Sequence, residues 1–198
     1  MPPLAAWSAW ITSFVGKSPP LDYFMELLGS DFFIIVTICL IMLSLWLGHP
    51  NPARREHLQR HIMNASVAIG ISSLVLIILK TWKFWPRPYE LMESAELAVN
   101  SLYHTSFDHS FPSNVATVSF AAATGVWFGN RKAGAVLYVL AFLWSFARFY
   151  GGSHFVVDLV GGAMIGVVTA FMITKVFMPR IEPLPTWALR LARLLYIA

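Results

Sequence analysis

Long apolar runs with almost no charge alternate along this chain with polar segments of unequal length. Residues 61 to 79, 114 to 128, 134 to 150 and 155 to 178 read as transmembrane helices. The middle two are short but sufficient once packed, since about 20 apolar residues match a hydrocarbon layer of about 30 Å. Residues 21 to 48 form a further span, apolar without a charge from Phe32 onward. At about 1.5 Å per residue it exceeds the bilayer core, so it is expected to tilt or project. Residues 4 to 16 (LAAWSAWITSFVG) are too short to cross, carry Trp7 and Trp10, and stop before Pro19 and Pro20, which predicts an interfacial helix. Residues 184 to 196 (LPTWALRLARLLY) set Arg190 and Arg193 beside an apolar face and predict a second helix on the membrane surface. The pattern predicts an all-α integral membrane helical bundle of five to six transmembrane helices, with interfacial helices at the termini. It is expected to form one domain over residues 1–198.

Composition narrows the class without changing the architecture. With 57% hydrophobic and 12% charged residues, the chain is too apolar for a soluble domain of its size. Cys39 is the only cysteine, so no intrachain disulfide can form. The first segment lacks a basic n-region, and Lys17 follows it, so no cleavable signal is expected.

The chemistry lies at the ends of the apolar runs: Lys80 with Arg87-Pro88, then Pro112-Ser113, then Arg148 with His154 and Asp158. Three long basic side chains can neutralise a phosphoryl group, Arg forking onto two oxygens and Lys acting as a point charge. Ser113 adds a hydroxyl. His154 and Asp158 are four apart, so on a helix they share a face. The carboxylate can then hold one ring nitrogen while the other attacks phosphorus, which makes His154 the candidate nucleophile. Taken singly, Lys80 and Arg87 could be headgroup anchors, and Arg148 with Asp158 a structural ion pair. Their joint spacing favours a site. Residues 80 to 113 form the one long loop, carrying His104, Asp108 and His109; that trio is a loose metal pattern, and neither a metal nor a cofactor is expected.

Topology brings these segments together. The span ending at Lys80 and the span starting at Ser113 place both on one side, and the chain returns there between Arg148 and His154. The opposite side holds Arg54, Arg55, Arg60, Arg131, Lys132, Lys175, Arg180, Arg190 and Arg193, nine of the fourteen Lys and Arg. Beyond the site itself the active side keeps only Lys17 and Lys83. By the positive-inside rule the nine-residue side is cytoplasmic, and the site faces outward. Small residues Ala116, Ser119, Ala122 and Ala123, facing Asp158, Gly162 and Gly166 at spacing four, predict close helix approach that brings His154 near Ser113.

Lys80, six residues, Arg87-Pro88, and Arg148, five residues, His154, three residues, Asp158 resemble the first and third signatures of the type 2 phosphatidic acid phosphatases. These are integral-membrane lipid phosphate phosphatases sharing a core with vanadium haloperoxidases. Pro112-Ser113-Asn114-Val115 resembles the second signature, Pro-Ser-Gly-His, in part, and the likeness covers roughly residues 60 to 170. Ala147 stands where the family often has Ser, and Val115 where it has the His taken to protonate the leaving group. The resemblance implies that Lys80, Arg87 and Arg148 hold the phosphoryl oxygens and that Ser113 and backbone amides near Asn114 complete the cradle. It further implies that His154 forms a phosphohistidine and Asp158 orients it, without a metal.

Val115 bears on the substrate. Expelling an alkoxide without a proton is hard, whereas the phosphate leaving a diphosphate ionises near pKa 6. This favours a polyprenyl diphosphate such as the undecaprenyl carrier that small bacterial relatives of the family recycle, in a bacterial inner or plasma membrane. The alternatives are a phosphatidate or phosphatidylglycerophosphate phosphatase, and a natural or engineered inactive relative that binds or carries a lipid phosphate. No nucleic-acid partner is expected.

Overall fold

A computed structural model describes residues 3–82, 85–106 and 108–195; Lys83 and Tyr196 of the preceding reading fall outside them. Every regular element among the described residues is helical. The elements are α1 (Pro3–Thr12), α2 (Pro19–Gly29), α3 (Phe33–Leu47), α4 (Pro52–Trp82), α5 (Pro88–Leu91), α6 (Glu93–Leu102), α7 (Asn114–Gly129), α8 (Arg131–Tyr150) and α9 (Val156–Met172). A π-helical turn, Ile173–Phe177, joins α9 to α10 (Met178–Arg180), and α11 (Leu184–Leu194) closes the described chain.

The centre of the bundle is α7, which packs on α4, α8 and α9. It can be central because its surface is nearly flat: Ala116, Ala121, Ala122, Ala123 and Gly125 let the neighbouring backbones close in. A Cβ built on Gly166 of α9 would lie 2.3 Å from the Thr117 carbonyl oxygen, and one on Gly162 would lie 2.5 Å from that of Ser113. A Cβ on Gly125 would lie 2.5 Å from the Ala65 Cβ of α4. Without a strong hydrophobic drive between helices in lipid, such backbone approach supplies much of the association. The predicted α7–α9 contact is present.

On length and composition three helices, Pro52–Thr81, Arg131–Tyr150 and Val156–Arg180, can cross a membrane, or up to four if the bent pair α2–α3 is one span. The pattern reading also counts residues 114 to 128 as a span. The corresponding α7 has only 16 residues and is largely covered by the neighbouring helices α4, α8 and α9. Residues 21 to 48 are not one tilted helix: α2 and α3 meet at 52°. The break falls at Ser30–Phe32, and Ser30 Oγ accepts from the Phe33 amide at 3.0 Å as the new helix begins. The bend delivers Asp31 to Arg148.

The two ends of the bundle differ in charge. At 31 residues α4 is about 46 Å long, so its first turn and Lys80 lie at opposite ends. Near that first turn Arg54 Nη2 donates to the Gly129 carbonyl at 3.5 Å, Arg60 donates to Glu182 and Thr186, and Arg193 pairs with Glu56 at 3.1 Å. The turns carrying Arg131 and Arg180 are thereby at the end far from Lys80.

Candidate active site

Each signature sits where a helix stops or starts. Lys80 is in the last turn of α4. Arg87 precedes Pro88, the first residue of α5, and is buried. Ser113 is the N-cap of α7 and Asn114 its first residue. Arg148 is in the last turn of α8, and His154 lies one residue before Phe155, the N-cap of α9. The five residues between Arg148 and His154 hold a reversal that needs glycine. Gly152 has φ +71°, and a Cβ on Gly151 would meet the Tyr103 ring at 2.1 Å.

The segments are tied to one another directly. Arg87 Nη1 donates to the Ser153 carbonyl at 3.0 Å, and its Nε donates to the Asp108 carbonyl at 2.9 Å. The Ser113 amide donates to the Asp158 carbonyl at 3.0 Å. Asp158 is fully buried and reaches back to accept from the Phe155 amide at 2.8 Å, capping α9. Ser113, by contrast, caps nothing with its side chain, although Ser at an N-cap ordinarily accepts from the first turn. Its buried hydroxyl has no hydrogen-bond partner among the described residues.

His154 and Asp158 are adjacent but not hydrogen-bonded: Nδ1 and Oδ2 are 3.8 Å apart. Ser110 stands beside both, donating from Oγ to Asp158 Oδ2 and lying 3.5 Å from His154 Nδ1. The expected direct His–Asp couple is therefore a three-residue arrangement, because Asp158 Oδ2 is shared with the α9 cap and the Ser110 hydroxyl. It leaves Nε2 as the nitrogen turned away from Asp158. Burial lowers the His154 imidazole pKa to about 4; Asp158 pulls it back up, while Arg87 and Lys80 push it down. The ring is neutral near pH 7, the state in which it can attack.

The cations of the site are engaged by carboxylates. Lys80 pairs with Asp108 Oδ2, and Arg87 Nη2 donates to Asp108 Oδ1 at 2.6 Å. Burial pushes the Asp108 carboxyl up, but Lys80 and Arg87 outweigh it and hold the group below its ordinary value. Arg148 pairs with Asp31 and lies 5.0 Å from the Tyr103 ring centroid. Tyr103 OH in turn donates to the Met25 carbonyl at 2.7 Å. Lys80, Arg87, Ser113, His154 and Asp158 are thus linked within one cluster, whereas the Arg148 guanidinium is held to one side by Asp31 and Tyr103.

A cavity of about 750 Å³ opens beside this cluster, its wall including Lys80, Thr81, Asp108, His109, Asn114 and Val118. Val115 instead packs against the main hydrophobic core. His104 is exposed and Asp108 is taken by cations; among the described residues no group of three His, Cys, Asp or Glu could hold a metal. Ser110, Asp31 and Tyr103 went unread in the sequence. Asp31 alone left a signal, an acid interrupting an apolar segment.

A helical membrane bundle that gathers a buried imidazole, a buried carboxylate and cations at one end is suited to binding a phosphoryl group, and the class it belongs to is given by its relatives. The PAP2 superfamily profile matches residues 61–182, and the chain belongs to that superfamily of lipid phosphatases. It is similar to undecaprenyl-diphosphatase BcrC of Bacillus subtilis, 30% identical over 141 residues, covering 71% of this chain and 67% of the relative. It is also similar to the putative undecaprenyl-diphosphatase YbjG of Escherichia coli, 27% identical over 139 residues, 68% of this chain and 64% of the relative. Among solved structures it resembles LpxE of Aquifex aeolicus, with a TM-score of 0.64, 28% identity, and coverage of 85% of this chain and 92% of that one. The fold is also that of a transmembrane PAP2-type phosphatidylglycerolphosphate phosphatase from Bacillus subtilis, with a TM-score of 0.56, 21% identity, and coverage of 92% and 90%.

Proposed function

We propose that this chain hydrolyses a polyprenyl diphosphate, of which undecaprenyl diphosphate is the type, releasing phosphate and the lipid monophosphate through a phosphohistidine. The observation that carries the reading is the buried His154 placed between Asp158 and the Arg87-bound turn at Ser153. His154 Nε2 attacks the terminal phosphorus. Lys80 and Arg87 exchange the two oxygens of Asp108 for two phosphoryl oxygens, with Ser113 and the first amides of α7 taking up developing charge. Arg148 joins by leaving Asp31. Three cations supply the charge compensation that a divalent ion gives in other phosphoryl transfers, so the reaction proceeds without a metal.

The relatives named as undecaprenyl-diphosphatases support the lipid class. So does a second cavity of about 760 Å³, walled by Ile38, Met42, Ile62 and Ile69 and sharing Val118 with the polar one, which gives an apolar tail a place beside the headgroup. Val115 favours the diphosphate, since the departing monoester needs no proton at its own position. Phosphate release from undecaprenyl diphosphate by purified protein tests the reading. The wild-type chain should turn over and His154→Ala should be inactive; undiminished release by His154→Ala would remove His154 from the chemistry. Val115 also motivates a second reading, a lipid phosphate carrier that kept the cradle, for which the wild-type chain would bind the lipid and release nothing.

A further inference from the structure

A phosphatase of this kind needs a proton at the leaving oxygen when that oxygen belongs to an alcohol, and residue 115 is a valine facing the core. The neighbouring loop holds an alternative. Its residues 108 and 110 are both fixed in the site, Asp108 on Lys80 and Arg87, and Ser110 on Asp158 beside His154. Consecutive Cα atoms are about 3.8 Å apart, so the residue between them cannot be far from either. That residue is His109, and it lines the same cavity as Lys80 and Asn114. The Ser110 amide, bonded to the Trp85 carbonyl at 3.0 Å, holds this strand of loop against the Arg87 segment.

From this placement, and resting on the function just proposed, we infer that His109 is the general acid of the first step, extending the substrates to lipid monophosphates. In that step the bond from His154 Nε2 to phosphorus forms and the bond from phosphorus to the lipid oxygen breaks. The departing oxygen keeps the electron pair and takes the proton from the His109 imidazolium. In the second step water attacks the phosphohistidine, the phosphorus–nitrogen electrons return to His154, and the proton lost by the water restores His109. The other acid in the cavity wall, Asp108, is held ionised by Lys80 and Arg87 in the free site, so it carries no proton to donate when the substrate arrives. Lys80 is committed to Asp108 in the free site and to phosphoryl oxygen in the occupied one.

The test is single-turnover release of the lipid product, which reads the first step alone, from farnesyl phosphate and farnesyl diphosphate by full-length protein in detergent. His109→Gln should slow release from the monophosphate by on the order of 10² to 10⁴, the usual contribution of a general acid, and slow the diphosphate much less. His109→Gly should show the same defect, with added imidazole restoring the monophosphate rate selectively. Equal slowing of both substrates, no slowing of either, or no rescue by imidazole would overturn the assignment. So would a wild-type chain that cleaves the diphosphate and leaves the monophosphate intact. If those results came with activity that His154→Ala abolishes, the proposed function would stand and only the acid would be lost. A wild-type chain inert on both substrates would overturn both.

Discussion

Asp108 holds two of the cations assigned to the phosphoryl group, one on each carboxylate oxygen, and so sits where two phosphate oxygens are proposed to go. A planar carboxylate between a Lys and an Arg and a phosphoryl edge between the same two groups make the same charge-assisted hydrogen bonds, so one can replace the other. Any anion entering the site must displace it. Vanadate, which takes the five-coordinate geometry of in-line attack, is the natural probe. Asp108→Asn should tighten vanadate binding by roughly 3- to 10-fold, a modest gain because Asp108 is half exposed and its pairs are partly screened. Calorimetry on the two proteins would show it, and weaker binding by the variant would mean that the carboxylate shapes the cradle instead of competing for it.

At the scale of elements, the site depends on how closely α7 and α9 approach. The Ser113 amide bonds the Asp158 carbonyl across that contact, so a shift of either helix moves Ser113 relative to His154. Gly166 is the narrowest point, with the Thr117 carbonyl 2.3 Å from where a Cβ would go. Gly166→Ala should therefore destabilise the protein by about 1–3 kcal/mol, the usual cost of overpacking, and lower phosphate release with it. Gly70 of α4 is the control: it has nothing within 4 Å of the added carbon, and Ala is the better helix former. Gly70→Ala should leave thermal unfolding in detergent unchanged or slightly raised. If Gly166→Ala unfolds at the wild-type temperature with wild-type activity, the close α7–α9 contact does not position the site.

For the molecule as a whole, the distribution of charge between the two ends of α4 sets the expected orientation. Arg54, Arg60 and Arg193 cluster with the α7–α8 turn at one end, and Lys80, Arg87 and His154 gather at the other. If the positive end stays in the cytoplasm, the site opens outside. In a Cys39→Ala background, a single cysteine at exposed Glu93 should react with an impermeant thiol reagent in intact cells, and one at exposed Arg131 should be protected. The reverse labelling would place the site in the cytoplasm.

How much of this was legible in the sequence follows from the range of the interactions involved. Membrane class, helical architecture and the candidacy of Lys80, Arg87, Ser113, Arg148, His154 and Asp158 as site residues follow from local facts: apolar runs, helix-end positions and short spacings. The small-residue faces of α7 and α9 were equally readable, because spacing four on a helix is a local property. What the chain order could not reveal were contacts between segments far apart. Asp31 meets Arg148 only because α2 and α3 bend at Ser30–Phe32, and Ser110 joins Asp158 only because its loop folds over the start of α9. Asp108 read as part of a loose metal pattern with His104 and His109, and folding set it between Lys80 and Arg87 instead. In each case a buried or half-buried charge or hydroxyl had to find a partner, and tertiary packing decided which one lay within reach.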